Sequence, residues 1–218
     1  MLATQTLDEA RHVEIFTQRL FDLGVKKTEL EDVLKQRANP HLVDFASVLL
    51  EKVDKKDFIA GVVGQNIVLE GMAFSVFEMM HAGMSAVNPK FAQTLSGTIA
   101  DERRHVGFGE NRIGSLIAEH PEKKGEIEKM QKDMSYHMLA TFADSFRERD
   151  PMLEESRKRL RSSGAQQGGG ARLHVWQGAD LNVMEPAQME SLLADTVLKE
   201  FKTRLARIGL EYQSPAAH

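Results

Sequence analysis

The sequence predicts an all-α fold, a helical bundle, and three observations carry that expectation. Apolar residues recur at helical spacing through most of the chain, and strand-like alternation is nearly absent. A five-residue motif also occurs twice. The first copy is Asp8-Glu9-Ala10-Arg11-His12, followed by Val13; the second is Asp101-Glu102-Arg103-Arg104-His105, followed by Val106. Each contains Glu-x-x-His, and residues three apart on a helix share a face. One such pair is weak evidence, because Glu and His are ordinary helix residues. Two copies with Asp, Glu, Arg, His and Val in register are strong evidence.

Taken in order, residues 1 to 23 read as a helix, with Leu7, Ala10, Val13, Phe16 and Leu20 at helical spacing and Gly24 as its stop. A short helix follows from Lys27 to Arg37, and Asn39-Pro40 punctuates the chain. The segment His41 to Val53 reads as a helix with Leu42, Phe45, Leu49 and Val53 on one side, and either Asp54 or Asp57 can cap the next. That next helix, 57 to 83, is apolar nearly all round, so it belongs in the centre of the fold. Glu70 sits in its middle, and a buried carboxylate is costly unless it is paired or binds a metal. Gly71 beside it leaves room for a substrate or for a close helix contact, while Gly61 and Gly64 read as contact points or a bend.

Met84 to Asn88 reads as a turn and Pro89 as the first residue of a helix that runs to His120 and carries the second motif. A further helix spans 121 to 149, residues 152 to 163 form a short solvated helix, and Gly164 to Gly170 is a flexible linker. Arg172 to Val183, with the sole tryptophan, reads as a short strand or ordered loop. Pro186 opens a last amphipathic helix to Ile208, followed by a polar tail. The expected organisation is a bundle over 1–163, a linker and ordered loop over 164–185, and a C-terminal helix and tail over 186–218.

Composition bounds the function. The chain has 218 residues, 42% hydrophobic and 28% charged, as in an ordinary globular domain. A net charge of −4 suggests no nucleic-acid surface. No run is expected to approach the ~18 apolar residues of a membrane span, and the N-terminus lacks a secretory pattern, so no membrane partner and a cytoplasmic location are expected. Zero cysteines exclude disulfides and thiolate ligands. Any metal must be held by oxygen and imidazole, which suits iron, manganese or zinc.

The repeated motif has a direct chemical reading. Glu9, Glu70 and Glu102 converging in a dry interior repel one another severely without cations. Two divalent metals stabilise that cluster, with neutral imidazoles from His12 and His105 completing each end. The competing arrangement is two exposed helices whose Glu and His face water. A ligating histidine usually donates its second ring N–H to a carboxylate; Asp8 is placed to serve His105 and Asp101 to serve His12. The alternative for these aspartates is surface ion pairs with Arg11 and Arg104. A third Glu-x-x-His, Glu78 to His81, is rotated by about 80° from Glu70 and reads as structural.

On these residues, with Leu69-Glu70-Gly71-Met72-Ala73-Phe74, the sequence resembles the ferritin-like dinuclear carboxylate proteins, in the branch of the ribonucleotide reductase small subunit and its oxidase relatives. The resemblance covers residues 1 to 115, with 61 residues from Glu9 to Glu70 and 32 from Glu70 to Glu102. It implies that Glu9 and Glu102 lie near or bridge both metals, that His12 and His105 each bind one, and that Glu70 completes one end. Three departures accompany it. Phe16 stands where the reductase subunit has its radical tyrosine, which disfavours that activity. Gly64-Gln65-Asn66 stands where ligand-binding oxidases carry a cross-linking tyrosine. The family's first helix, which carries a sixth ligand, lies well upstream of Glu9, whereas this sequence starts eight residues before it. The expectation is therefore a ferritin-like bundle lacking its first ligand-bearing helix, from a truncated or misassigned start, with Glu190, Asp195 and Glu200 as substitutes without support from spacing.

The leading functional expectation is an oxidase or oxygenase with two iron ions, or one manganese and one iron. It would activate dioxygen to hydroxylate, N-oxygenate or desaturate a small organic substrate. Phe16, Phe74, Phe77 and Phe108 are candidates for its pocket, and an electron-donor protein and a homodimer are expected partners. Two alternatives stand beside it: a non-catalytic or incomplete metal-binding bundle, and a ribonucleotide reductase small-subunit-like protein.

Overall fold

The computed structural model describes residues 2–85, 88–147, 175–181 and 183–214. Helices dominate, as expected. Helix α1 (Leu2–Asp22) ends at Gly24, whose φ of +100° suits a residue without a side chain. A 3₁₀ turn (Lys27–Glu29) leads into α2 (Leu30–Arg37). Helix α3 (Pro40–Asp54) starts on Asn39, whose side-chain oxygen accepts from the backbone N–H groups of His41 and Leu42. Only part of its expected apolar side is covered: Phe45 is buried, but Leu42 and Val53 are exposed, because the packed stripe runs through Phe45, Val48 and Leu49.

The central segment is continuous but not uniform. Asp57, rather than Asp54, caps α4 (Phe58–Val62) by accepting from Ala60 N–H at 3.0 Å. A seven-residue π-helical stretch follows (Val63–Leu69), and α5 (Glu70–Met84) continues from it. The widened turn is visible where the Glu70 N–H bonds to the Gln65 carbonyl, five residues back. Two glycines permit close packing here. A Cβ on Gly64 would stand 2.6 Å from Leu49 Cδ1, and one on Gly109 would stand 2.5 Å from Asn66 Cβ. Gly71 would meet only ordinary contacts.

Phe58–Met84 corrects the expectation that nothing approaches a membrane span. This 27-residue segment, of mean hydropathy 1.4, is long and apolar enough to cross a bilayer by length and composition. In this fold it is the core helix, with 67% of its most apolar window buried. It packs against α6 (Pro89–Glu119), α7 (Lys124–Arg147) and α8 (Pro186–Arg207). Pro89 opens α6 and Pro121 follows its end, as the punctuation predicts.

The expected strand or loop near the tryptophan is a small hairpin, β1 (Val175–Trp176) paired antiparallel with β2 (Ala179–Asp180) around Gln177 and Gly178, both at positive φ. The short helix expected over 152–163 and the linker over 164–170 lie outside the described residues. The C-terminal helix is part of the bundle core: Leu193, Val197, Phe201 and Leu205 of α8 share one buried cluster with Val63, Val68 and Met72. Each fully buried side chain of this kind contributes about 1.5–3 kcal/mol, so α8 helps hold the central segment in place.

Candidate metal centre

Two helices carrying Glu-x-x-His lie side by side. On α1 the motif places Glu9 and His12 toward α6, and on α6 it places Glu102 and His105 toward α1. His12 and His105 are buried, their ring centroids 6.4 Å apart. Between them stand the two glutamates, each facing both rings. Glu9 Oε1 is 3.2 Å from His105 Nδ1, and its Oε2 is 3.6 Å from His12 Nδ1. Glu102 Oε2 is 3.5 Å from His105 Nδ1, and its Oε1 is 3.4 Å from His12 Nδ1. Glu70, the first residue of α5, completes the His105 end, its Oε1 3.5 Å from His105 Nδ1. Glu9, Glu70, Glu102 and His105 thus offer four ligand atoms within 4.8 Å of one another, a group able to hold a metal ion. All five sequence-derived candidates meet in one place.

The aspartates resolve the two readings offered for them, because both hold at once. Asp8 Oδ2 lies 3.1 Å from His105 Nε2, and Asp101 Oδ2 lies 3.2 Å from His12 Nε2. The same carboxylates meet the arginines. Arg104 donates to Asp8 at 3.1 Å and to Asp101 at 2.6 Å, and Arg11 pairs with Asp101. Each carboxylate takes the Nε2–H side of its ring, which fixes the tautomer and turns the Nδ1 lone pair inward. The hydrogen bond from His105 holds Asp8 below the ordinary carboxylate range. Burial pushes Asp101 up, but Arg104, His12 and Arg11 together hold it low.

Inside the cluster the electrostatics run the other way. Burial raises Glu70 to about 7. Burial, with the charges of Glu70 and Glu9, raises Glu102 to about 7 as well. The pKa of His12 is raised, chiefly by Glu9. Three buried atoms, Glu9 Oε1, Glu102 Oε2 and His105 Nδ1, have no hydrogen-bond partner. Leaving such groups unpaired costs about 1–3 kcal/mol each. All three point at one another, an arrangement that a cation among them would satisfy. By donor set, oxygen with imidazole, the residues fit iron, manganese or zinc.

Three residues around Glu70 were not anticipated. Gln5 and Gln65 donate to its Oε1 at 2.8 and 3.1 Å, and Asn66 donates to its Oε2 at 2.8 Å. Gln5 lies one helical turn before Glu9, a spacing that could have been read from the sequence. Gln65 and Asn66 reach Glu70 through the π-helical stretch, which an apolar run does not announce. These three amides also line a mainly apolar cavity of about 360 Å³ whose other walls include Leu2, Val53, Phe58 and Val62. The aromatic pocket expected from Phe16, Phe74, Phe77 and Phe108 is a different arrangement. Phe16 stacks on Phe77 at 5.9 Å, Phe74 lies against Arg103 and Arg204, and Phe108 packs against the core.

The remaining candidates fall elsewhere. Glu78 and His81 line a separate cavity beside Trp176, and Glu200 accepts from Ser75 at 2.6 Å. Neither they nor Glu190 and Asp195 enter the Glu/His group. No family model matches the chain, and no curated protein matches its sequence.

Proposed function

We propose that this chain is a dinuclear-metal oxidoreductase related to the ferritin-like carboxylate proteins of the ribonucleotide reductase small-subunit and oxidase branch. One observation carries the reading: Glu9 and Glu102 each turn one oxygen to His12 and the other to His105. Carboxylates divided between two imidazoles, drawn from paired Glu-x-x-His motifs, are the kind of ligand set that could hold two metal ions in such bundles. Glu9, Glu102, Glu70 and His105 would hold one ion, and Glu9, Glu102 and His12 would hold the other. Two iron ions, or one manganese and one iron, would supply there the redox chemistry for oxidising a small organic substrate with dioxygen.

The chain's own residues do the rest. Asp8 and Asp101 orient the two histidines, and Gln5, Gln65 and Asn66 fix the direction of the Glu70 carboxylate. Ile67, Val68 and Val106, close in the chain to Glu70 and His105, are themselves buried.

Metal content per chain after aerobic and anaerobic ferrous loading tests the reading. About two metals per chain are expected, lost in Glu102→Ala and His105→Ala. A chain that takes up no iron in either condition overturns it. A second reading, a metal-binding bundle without oxidase chemistry, draws support from the His12 end. That end has three protein donors, and the Glu9 side chain is 38% exposed. Ferrous loading without any oxygen-dependent change in absorption would favour it. The reductase-subunit reading is weakened by Phe16, packed on Phe77 where that activity needs a tyrosine.

A further inference from the structure

We propose that His41, Asp44 and His137 form a second, mononuclear site for a divalent transition-metal ion, zinc by its donor set, that ties α3 to α7. His41 and Asp44 are three residues apart and share a face of α3; His137 faces them from α7. Each offers one ligand atom, and these atoms lie within 4.8 Å of one another. The site is separate from the Glu/His centre, which is built on α1, α5 and α6, and it does not rest on the function proposed above.

An ordinary histidine–aspartate ion pair accounts for only part of this cluster. Asp144 already serves His41, its Oδ2 3.5 Å from the ring Nε2. That leaves Asp44 and His137 to be explained, and the His137 Nδ1 is buried with no hydrogen-bond partner. Two imidazoles and one carboxylate, with a further carboxylate behind one ring, match the way zinc is held and its ligands are oriented. Asp44 is exposed, which leaves a fourth position open to water.

The scaffold holds the donors in place. Tyr136 stands edge-on to both rings, 6.2 Å from His41 and 5.4 Å from His137. The Thr141 hydroxyl donates to the His137 carbonyl at 2.8 Å, and its oxygen lies 3.4 Å from the Asn39 side-chain oxygen that caps α3. The start of α3 and the middle of α7 therefore lie close together beside the triad. Tetrahedral zinc with ligand bonds of about 2.1 Å spaces its donors about 3.4 Å apart. The side chains close by roughly an ångström on binding, within rotamer freedom at a half-exposed site.

The test is zinc titration of the metal-free full chain carrying Glu70→Gln and Glu102→Gln, with a chromogenic chelator as competitor. One zinc per chain is expected, bound at least tenfold more weakly after His41→Ala and after His137→Ala. Absence of stoichiometric zinc, or zinc bound as tightly after each of these substitutions as before them, overturns the site. A second measurement uses the unaltered chain: zinc should protect His41 and His137 from diethyl pyrocarbonate while the exposed His120 still reacts. Equal modification of His41 and His137 with and without zinc overturns the proposal even if the variants fail to fold.

Discussion

The two copies of Asp-Glu-x-Arg-His share their spacing and meet each other, yet their surroundings differ. On α6 the Glu102 side chain is 5% exposed and His105 is fully buried; on α1 the Glu9 side chain is 38% exposed, and Leu7 and Val13 beside it face outward. The His105 end has Glu70 and three amides behind it, and the His12 end has no equivalent among the described residues. Local spacing therefore decides which atoms can converge, while tertiary packing decides how dry and how complete each end becomes. If the centre holds metal as proposed, the fully packed copy should hold it more tightly.

The largest expected effect tests that asymmetry directly. His105→Ala should abolish the tighter of two metal equivalents, a loss greater than the roughly 10–100-fold that follows from removing a residue that merely orients a ligand. His12→Ala should spare the first equivalent and remove the second. Stepwise calorimetric titration with manganese distinguishes the two; identical isotherms for both variants would break the comparison.

The next effect is on stability and concerns the dry end alone. In the metal-free chain Glu70 and Glu102 keep their protons up to about pH 7 when folded, against the ordinary 4.5 when unfolded. Between those values the folded state binds more protons than the unfolded state, so stability falls as pH rises. The contribution is largest below 4.5, declines through the interval and is flat above 7. At about 1.4 kcal/mol per pKa unit, each carboxylate can contribute up to about 3 kcal/mol to the decline. Thermal melts of the metal-free chain from pH 5 to 8 should show it, and Glu102→Gln should flatten the slope. Bound metal should reverse the trend, because ligands must lose their protons to bind.

This contrast marks how far the sequence could be read. The repeat at Glu9/His12 and Glu102/His105 specified which side chains converge, and the crossed pairing of Asp8 with His105 and Asp101 with His12 followed from one-residue offsets. The helices were legible because their periodicity is strong and their stops are Gly24, Asn39-Pro40, Pro89 and Pro121. What could not be read depends on contacts between distant segments. An apolar run such as Val62 to Leu69 looks the same with α- or π-helical hydrogen bonding, so the placement of Gln65 and Asn66 against Glu70 was hidden. The burial of α8 and the exposure of Leu42 and Val53 were hidden for the same reason. Each depends on which neighbour arrives, and periodicity alone does not name the neighbour.

A moderate effect should come from the glycine that lets α6 approach the π-helical stretch. A methyl group on Gly109 would stand 2.5 Å from Asn66 Cβ and 3.2 Å from Ile67 Cδ1. Gly109→Ala must push that stretch away, at about 1–3 kcal/mol for overpacking. Asn66 would lose its 2.8 Å contact with Glu70. The dry end should then weaken while the His12 end is spared, which manganese titration and a melting curve together would show. Unchanged first-equivalent affinity would mean that Asn66 does not position Glu70.

The smallest effect is expected where the two copies are most alike. Arg11 and Arg104 are 51% and 53% exposed, and each reaches both Asp8 and Asp101. Their charges act through solvent, so each ion pair contributes under about 1 kcal/mol. Because the pairing is crossed, losing either arginine loosens the aspartates behind both histidines equally. Arg11→Ala and Arg104→Ala should therefore lower the melting temperature by the same small amount, and added salt should shrink both effects. The asymmetry belongs to the interior carboxylates. If Arg104→Ala weakened metal binding far more than Arg11→Ala, the difference between the two ends would instead begin at the protein surface.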